Sequence, residues 1–173
     1  MRPPAVNGFL LTVPGAMTFV ALLFALAGII SYEIFRLQEP TVHLWLTFTY
    51  SMYTFHEVNV IGSFITLVLL FVASIVILSC NTKMNGNMLK MVALVHAAIW
   101  TILLMVSSSA MVTRSWHYFF FKDTPSSRAR EVDLQTVMAS GVCGLCEMGC
   151  LIITVAILLL DRIGIFKTNA YQT

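Results

Sequence analysis

The sequence predicts an all-α integral membrane protein, an antiparallel bundle of four transmembrane helices in a single domain spanning residues 1–173. Three observations predict it. Only 10% of the residues are charged and 58% are hydrophobic, whereas a soluble domain is about a quarter charged. Lipid must therefore be the solvent for most of the surface. Four apolar stretches each reach the ~20 residues that a helix needs to cross a bilayer core. The segments between them are too short for a soluble domain.

The first stretch, 9–32, is longer than the ~7–15 residues of a signal-peptide core and reads as a retained span. Pro14-Gly15 near its start is a tolerable kink. The second, 58–80, follows a longer connection. In that connection Val42-His43-Leu44-Trp45-Leu46-Thr47-Phe48-Thr49-Tyr50 alternates with a strand-like period of two. A small strand-like cap on the extracellular or lumenal side is the expectation. Residues 81–87, rich in Asn and Gly, form a tight turn to the third span, 88–112. A second longer connection, 113–136, opens with Trp116-His117-Tyr118-Phe119-Phe120-Phe121 and leads to the fourth span, 138–160. Backbone groups in lipid must bond within their own segment, which makes these spans helices.

Charge sets orientation weakly. Arg2, Lys83, Lys90, Arg162 and Lys167 lie on the face of the tails and the short turn. Arg36, Arg114, Lys122, Arg128 and Arg130 lie on the other face. Residues far from a span end count less, and discounting Arg128 and Arg130 places both termini in the cytoplasm. No Lys/Arg run suits nucleic acid. The cysteines Cys80, Cys143, Cys146 and Cys150 all sit in or beside apolar segments, so no loop disulfide framework is expected. There is also no Asn-x-Ser/Thr glycosylation sequon.

Glu147 is the sharpest residue. An ionisable side chain near the middle of a span is costly and marks a functional-site hypothesis. At 100° per residue, Ser140, Cys143, Gly144, Glu147, Cys150 and Thr154 share one face about 120° wide, and Asp161 continues it at the membrane edge. Small residues on that face admit a neighbouring backbone. Thr66 of the second span and Thr101 of the third fall near the level of Glu147. The expected role is a neutral acid bonded between helices as packing glue; a proton or cation path, and the binding of a polar lipid or partner helix, are the competing roles. Cys143-Gly-Leu-Cys146 has redox spacing, but the loops lack the second cysteine pair that electron relay needs. The histidines show no metal-ligand spacing. His43, His56 and His117 fall in or beside connections, which leaves His96 as the histidine well inside a span and no bis-histidine cofactor site. No cofactor is expected. Cys80, at the end of the second span, is a candidate palmitoylation site. Trp45, Phe48, Tyr50, Trp116, Tyr118 and Phe119 form either an interfacial aromatic belt or a loop surface that meets partners.

The four-span layout with short tails resembles the MARVEL-domain proteins, which include MAL-type proteolipids, physins and occludin-like proteins. Locally, Ala97-Ala98-Ile99-Trp100-Thr101-Ile102-Leu103-Leu104 with Ser107-Ser108-Ser109-Ala110 is similar to their third span. Ala139-Ser140-Gly141-Val142-Cys143-Gly144-Leu145, closed by Asp161, is similar to their fourth. The resemblance implies a non-enzymatic membrane organiser acting in apposition, vesicle trafficking or cell junctions. Its partners would be membrane lipids, cholesterol among them, other membrane proteins or a second copy of itself. The expected location is the plasma membrane or secretory vesicles. Claudin, tetraspanin and connexin patterns require loop cysteines that this chain lacks. The alternative from the residues is a small transporter or proton-linked protein using Glu147. The third is a thiol oxidoreductase using Cys143 and Cys146.

Overall fold

The computed structural model describes residues 12–38, 51–79, 86–120 and 128–164. Among these residues there are four helices and no strand: α1 (Val13–Gln38), α2 (Ser51–Ser79), α3 (Gly86–Phe120) and α4 (Arg128–Ile163). Each holds a stretch long and apolar enough to cross a membrane: Val13–Leu37, Met52–Val76, Met88–Thr113 and Gln135–Ile163. The chain is a multi-pass integral membrane protein.

The helices overrun the expected spans. α1 continues to Gln38, α2 begins at Ser51, α3 continues to Phe120 and α4 begins at Arg128. Hydropathy marks where lipid begins, but a helix continues until something stops it. Residues 33–38, 51–57, 113–120 and 128–137 contain no Gly or Pro, the residues most costly to a helix interior. Trp116, Tyr118 and Phe119 therefore lie on α3 rather than in a loop. The alternating segment 42–50, with Trp45, Phe48 and Tyr50, lies outside the described residues, as does Cys80.

Helix ends follow local chemistry. Pro14 sits in the first turn of α1, where its missing N–H would have no partner anyway. The Gly15 N–H points at Thr12 Oγ1 at 3.5 Å. At the other end of the chain, Gly164 closes α4 with φ of 82° and donates its N–H to Asp161 O at 3.2 Å. That left-handed residue is the usual glycine helix stop.

α4 is the most closely packed helix, pressed against α1 on one side and α3 on the other. Small residues permit this. A methyl added at Gly141 would come within 3.0 Å of Val112 Cγ2 and 3.2 Å of Ser108 O. One added at Gly144 would collide with the Ser108 hydroxyl. Gly28 of α1 faces Cys143 and the Ser140 carbonyl across the other contact. α2 sits less tightly against α1 and α3, and the Trp100 ring lies over Gly62. Lipid tails are as apolar as these side chains, so close van der Waals fit and interhelical hydrogen bonds hold the bundle.

Two apolar clusters mark its ends. Phe35, Tyr53, Met111 and Val137 pack together at one. Leu70, Leu89, Ala93 and Leu158 pack at the other, beside a Lys90–Asp161 ion pair of 2.7 Å. We call these the Phe35 end and the Lys90 end. Arg36 meets Glu33 at 3.1 Å and Glu57 at 3.5 Å at the Phe35 end.

Candidate functional site

The inward faces of α2, α3 and α4 carry the site. On α2, Tyr53, His56, Asn59, Val60, Ser63, Leu67, Leu70 and Ser74 are buried, at the three- and four-residue spacing of one helix face. On α4 the same spacing buries Ser140, Gly144, Glu147, Cys150, Thr154 and Leu158. α3 contributes Leu104, Ser107, Ser108, Met111 and Ser115.

Glu147 is fully enclosed, with 0% exposure. The Ser63 hydroxyl lies against its carboxyl but donates to its own helix, to Val60 O at 3.0 Å. Neither carboxyl oxygen makes a hydrogen bond of good geometry. Two turns toward the Phe35 end, His56 Nε2 lies 3.0 Å from Ser140 Oγ. The His56 ring stands edge-on to Tyr32 at 6.0 Å between centroids. Its Nδ1 has no partner. Whichever ring nitrogen carries the proton, Nε2 has Ser140 and Nδ1 is left without a partner. Between and around these groups, Asn59 Nδ2, Thr101 Oγ1 and the hydroxyls of Ser107, Ser108 and Ser115 are buried and unpartnered as well.

The structure thus gathers most of the polar face expected on the fourth span. Ser140, Gly144, Glu147, Cys150 and Thr154 all turn inward. Cys143 is half-buried against Gly28, while Cys146 is exposed on the outer surface. The two thiols of the C-x-x-C stretch therefore face different surroundings, and both are free. Thr101 is only partly buried, though its hydroxyl is enclosed. Thr66 has partners of its own. It donates to Gly62 O and Ser63 O at 2.9 and 3.0 Å, and meets His96 Nε2 at 3.0 Å. Because the Thr66 proton goes to a backbone carbonyl, His96 must donate from Nε2. This pair borders a groove of about 550 Å³ on the outer α2–α3 surface, lined otherwise by Met91, Val92, Val95, Ile99 and Trp100.

Two members of the site were not anticipated. His56 was expected beside a connection, and Ser63 was not singled out. The early start of α2 puts both on its buried face, and the spacing His56, Asn59, Ser63, Leu67 is visible in the sequence once the helix is begun at Ser51. No group of three or more potential metal ligands occurs among the described residues.

Comparison with protein-family models, with curated proteins and with solved structures finds no match.

Proposed function

We propose that this chain is a non-enzymatic membrane-organising protein of the MARVEL-like kind, an antiparallel four-span bundle acting by lateral packing with lipids and other membrane proteins. The observation that carries the reading is the division of its surface. Large apolar side chains such as Leu23, Ile30, Leu69, Ile102, Met105 and Ile153 are exposed on all four helices. Most of the strongly polar groups of the spans, Glu147, His56, Asn59, Ser63, Ser107, Ser108 and Ser140 among them, are buried, while Ser109 and Cys146 are exposed and the His96–Thr66 pair borders the surface groove. Such a molecule offers lipid and neighbouring helices an outer surface with little other chemistry. The antiparallel order is supported by the contacts: Phe19 meets Phe71, while Arg36 meets Glu57; Gly62 meets Trp100, while Thr66 meets His96; Ser108 meets Gly144, while Lys90 meets Asp161. The α2–α3 groove, apolar apart from the His96–Thr66 pair, suits a lipid chain or a sterol. The proposed location is the plasma membrane or secretory vesicles, with both termini cytoplasmic.

The test combines localisation with topology. A tag at each terminus and one between Phe120 and Arg128 are stained before and after permeabilisation. The expected result is tails that are protected, an inserted tag that is accessible, and signal concentrated at contacts or vesicles. Exposed tails, or an even spread over membranes with ion flux that depends on Glu147, would overturn it.

A further inference from the structure

The buried polar groups are not spread evenly along the bundle. From Glu147 toward the Phe35 end they are unpartnered: the carboxyl itself, Asn59 Nδ2, the hydroxyls of Ser107 and Ser108, and His56 Nδ1. From Glu147 toward the Lys90 end the interior is Leu67, Ala97, Leu151, Leu70, Ala93 and Leu158. Of the buried hydroxyls on that side, Thr154 donates to Cys150 O at 3.0 Å and Ser74 to Leu70 O at 2.7 Å, and the Thr101 hydroxyl, two turns from Ser108 along α3, is left without a partner. Unpartnered polar atoms in an interior are costly and mark places where water or a ligand is bound. A buried water typically needs about three polar partners, and only the Phe35 side supplies them.

From this asymmetry we infer that Glu147 is a proton-exchange site, served by internally bound water that reaches it from the Phe35 end past His56 and Ser108 and is stopped beyond it by the leucine layers. His56 and Glu147 are separated by about two helical turns, or ~10 Å at 1.5 Å per residue. With its proton, Glu147 donates to water or to the Ser63 hydroxyl. The proton leaves to water and is replaced from water, so nothing is oxidised or reduced and no covalent bond other than O–H changes. No described charged side chain faces the carboxyl. Ser63 of α2 lies against it, Cys143 and Cys150 flank it on α4 itself, and the buried middle of α1 and α3 carries Ala21, Ala25 and Leu104. The ion pairs Arg36–Glu57 and Lys90–Asp161 lie toward the two ends. The Phe35, Tyr53, Met111 and Val137 cluster covers the entry, so exchange should be gated rather than open.

Infrared difference spectroscopy of the full chain in lipid bilayers, transferred from H2O to D2O, tests this. The expected result is a carboxylic-acid C=O band that shifts down in D2O and is absent in Glu147→Gln. Should Glu147→Gln fail to fold, Glu147→Asp assigns the band by moving it. His56→Leu should slow the shift by about tenfold, the factor that one lost hydrogen bond contributes, while Leu158→Ala leaves it unchanged. A band that does not shift over hours, a band that neither variant alters, or exchange accelerated by Leu158→Ala and indifferent to His56→Leu would each overturn the proposal.

Discussion

The two ends of the bundle interior differ in how many buried hydroxyls are satisfied by their own helices. Toward the Lys90 end, Thr18, Ser74 and Thr154 each donate to the carbonyl four residues earlier. They are polar by composition and apolar in behaviour. Toward the Phe35 end, Ser107, Ser108 and Ser115 are just as buried and donate to nothing. The lesson is that a hydroxyl inside a span is inert when its own helix accepts it and consequential when it does not. Leaving such a group unsatisfied costs about 1–3 kcal/mol, and the Phe35 half concentrates these groups around one carboxylic acid and one histidine.

The comparison can be broken most severely at Gly144. Gly144→Leu has no room against Ser108 and should cost ~3 kcal/mol or more through overpacking, read as lost resistance to denaturation in detergent. Gly149→Leu, which meets nothing within 4 Å, should be near neutral. Similar losses for both would mean that α4 is not held as closely as the structure has it. Leu67→Ala comes next. It removes a fully buried side chain from the apolar half and should cost about 2–4 kcal/mol by cavity formation.

Glu147→Leu sharpens the contrast, because replacing an unpartnered buried group by an apolar one of similar size is nearly neutral or stabilising. Unfolding at a denaturant midpoint equal to or above that of the parent is expected. A loss matching Leu67→Ala would show that the carboxyl has strong partners. The smallest effects separate a hydroxyl that bonds across helices from one that returns to its own helix. Ser140→Ala removes the one partner of His56 Nε2 and should cost ~1–2 kcal/mol, whereas Thr154→Val should change stability by less than ~1 kcal/mol. Equal effects from the pair would erase the distinction between the halves.

Much of this was legible in the residues. The scarcity of charge and the four long apolar runs forced four membrane helices, and the spacing of Ser140, Gly144, Glu147 and Thr154 put them on one inward face. Helix ends were less legible, because lipid-facing composition fades before the helix does. Residues 51–57 look like a connection by hydropathy, yet contain nothing to stop a helix. That shift moved His56 from a supposed loop into the core beside Ser140. Counting residues along idealised spans gives depth to about one turn, which puts Thr66 near the level of Glu147 but does not single out Ser63, one turn away, as the group against the carboxyl.

By itself, then, the sequence determined the solvent, the number of spans and the presence of a carboxylic acid at mid-membrane. All three follow from composition and length, which do not depend on how helices pair. Tertiary structure alone decided which polar groups are satisfied. A hydroxyl that returns to its own helix and one stranded between two helices have the same local sequence. Only the approach of α4 to Ser108 and of Ser63 to Glu147 distinguishes them.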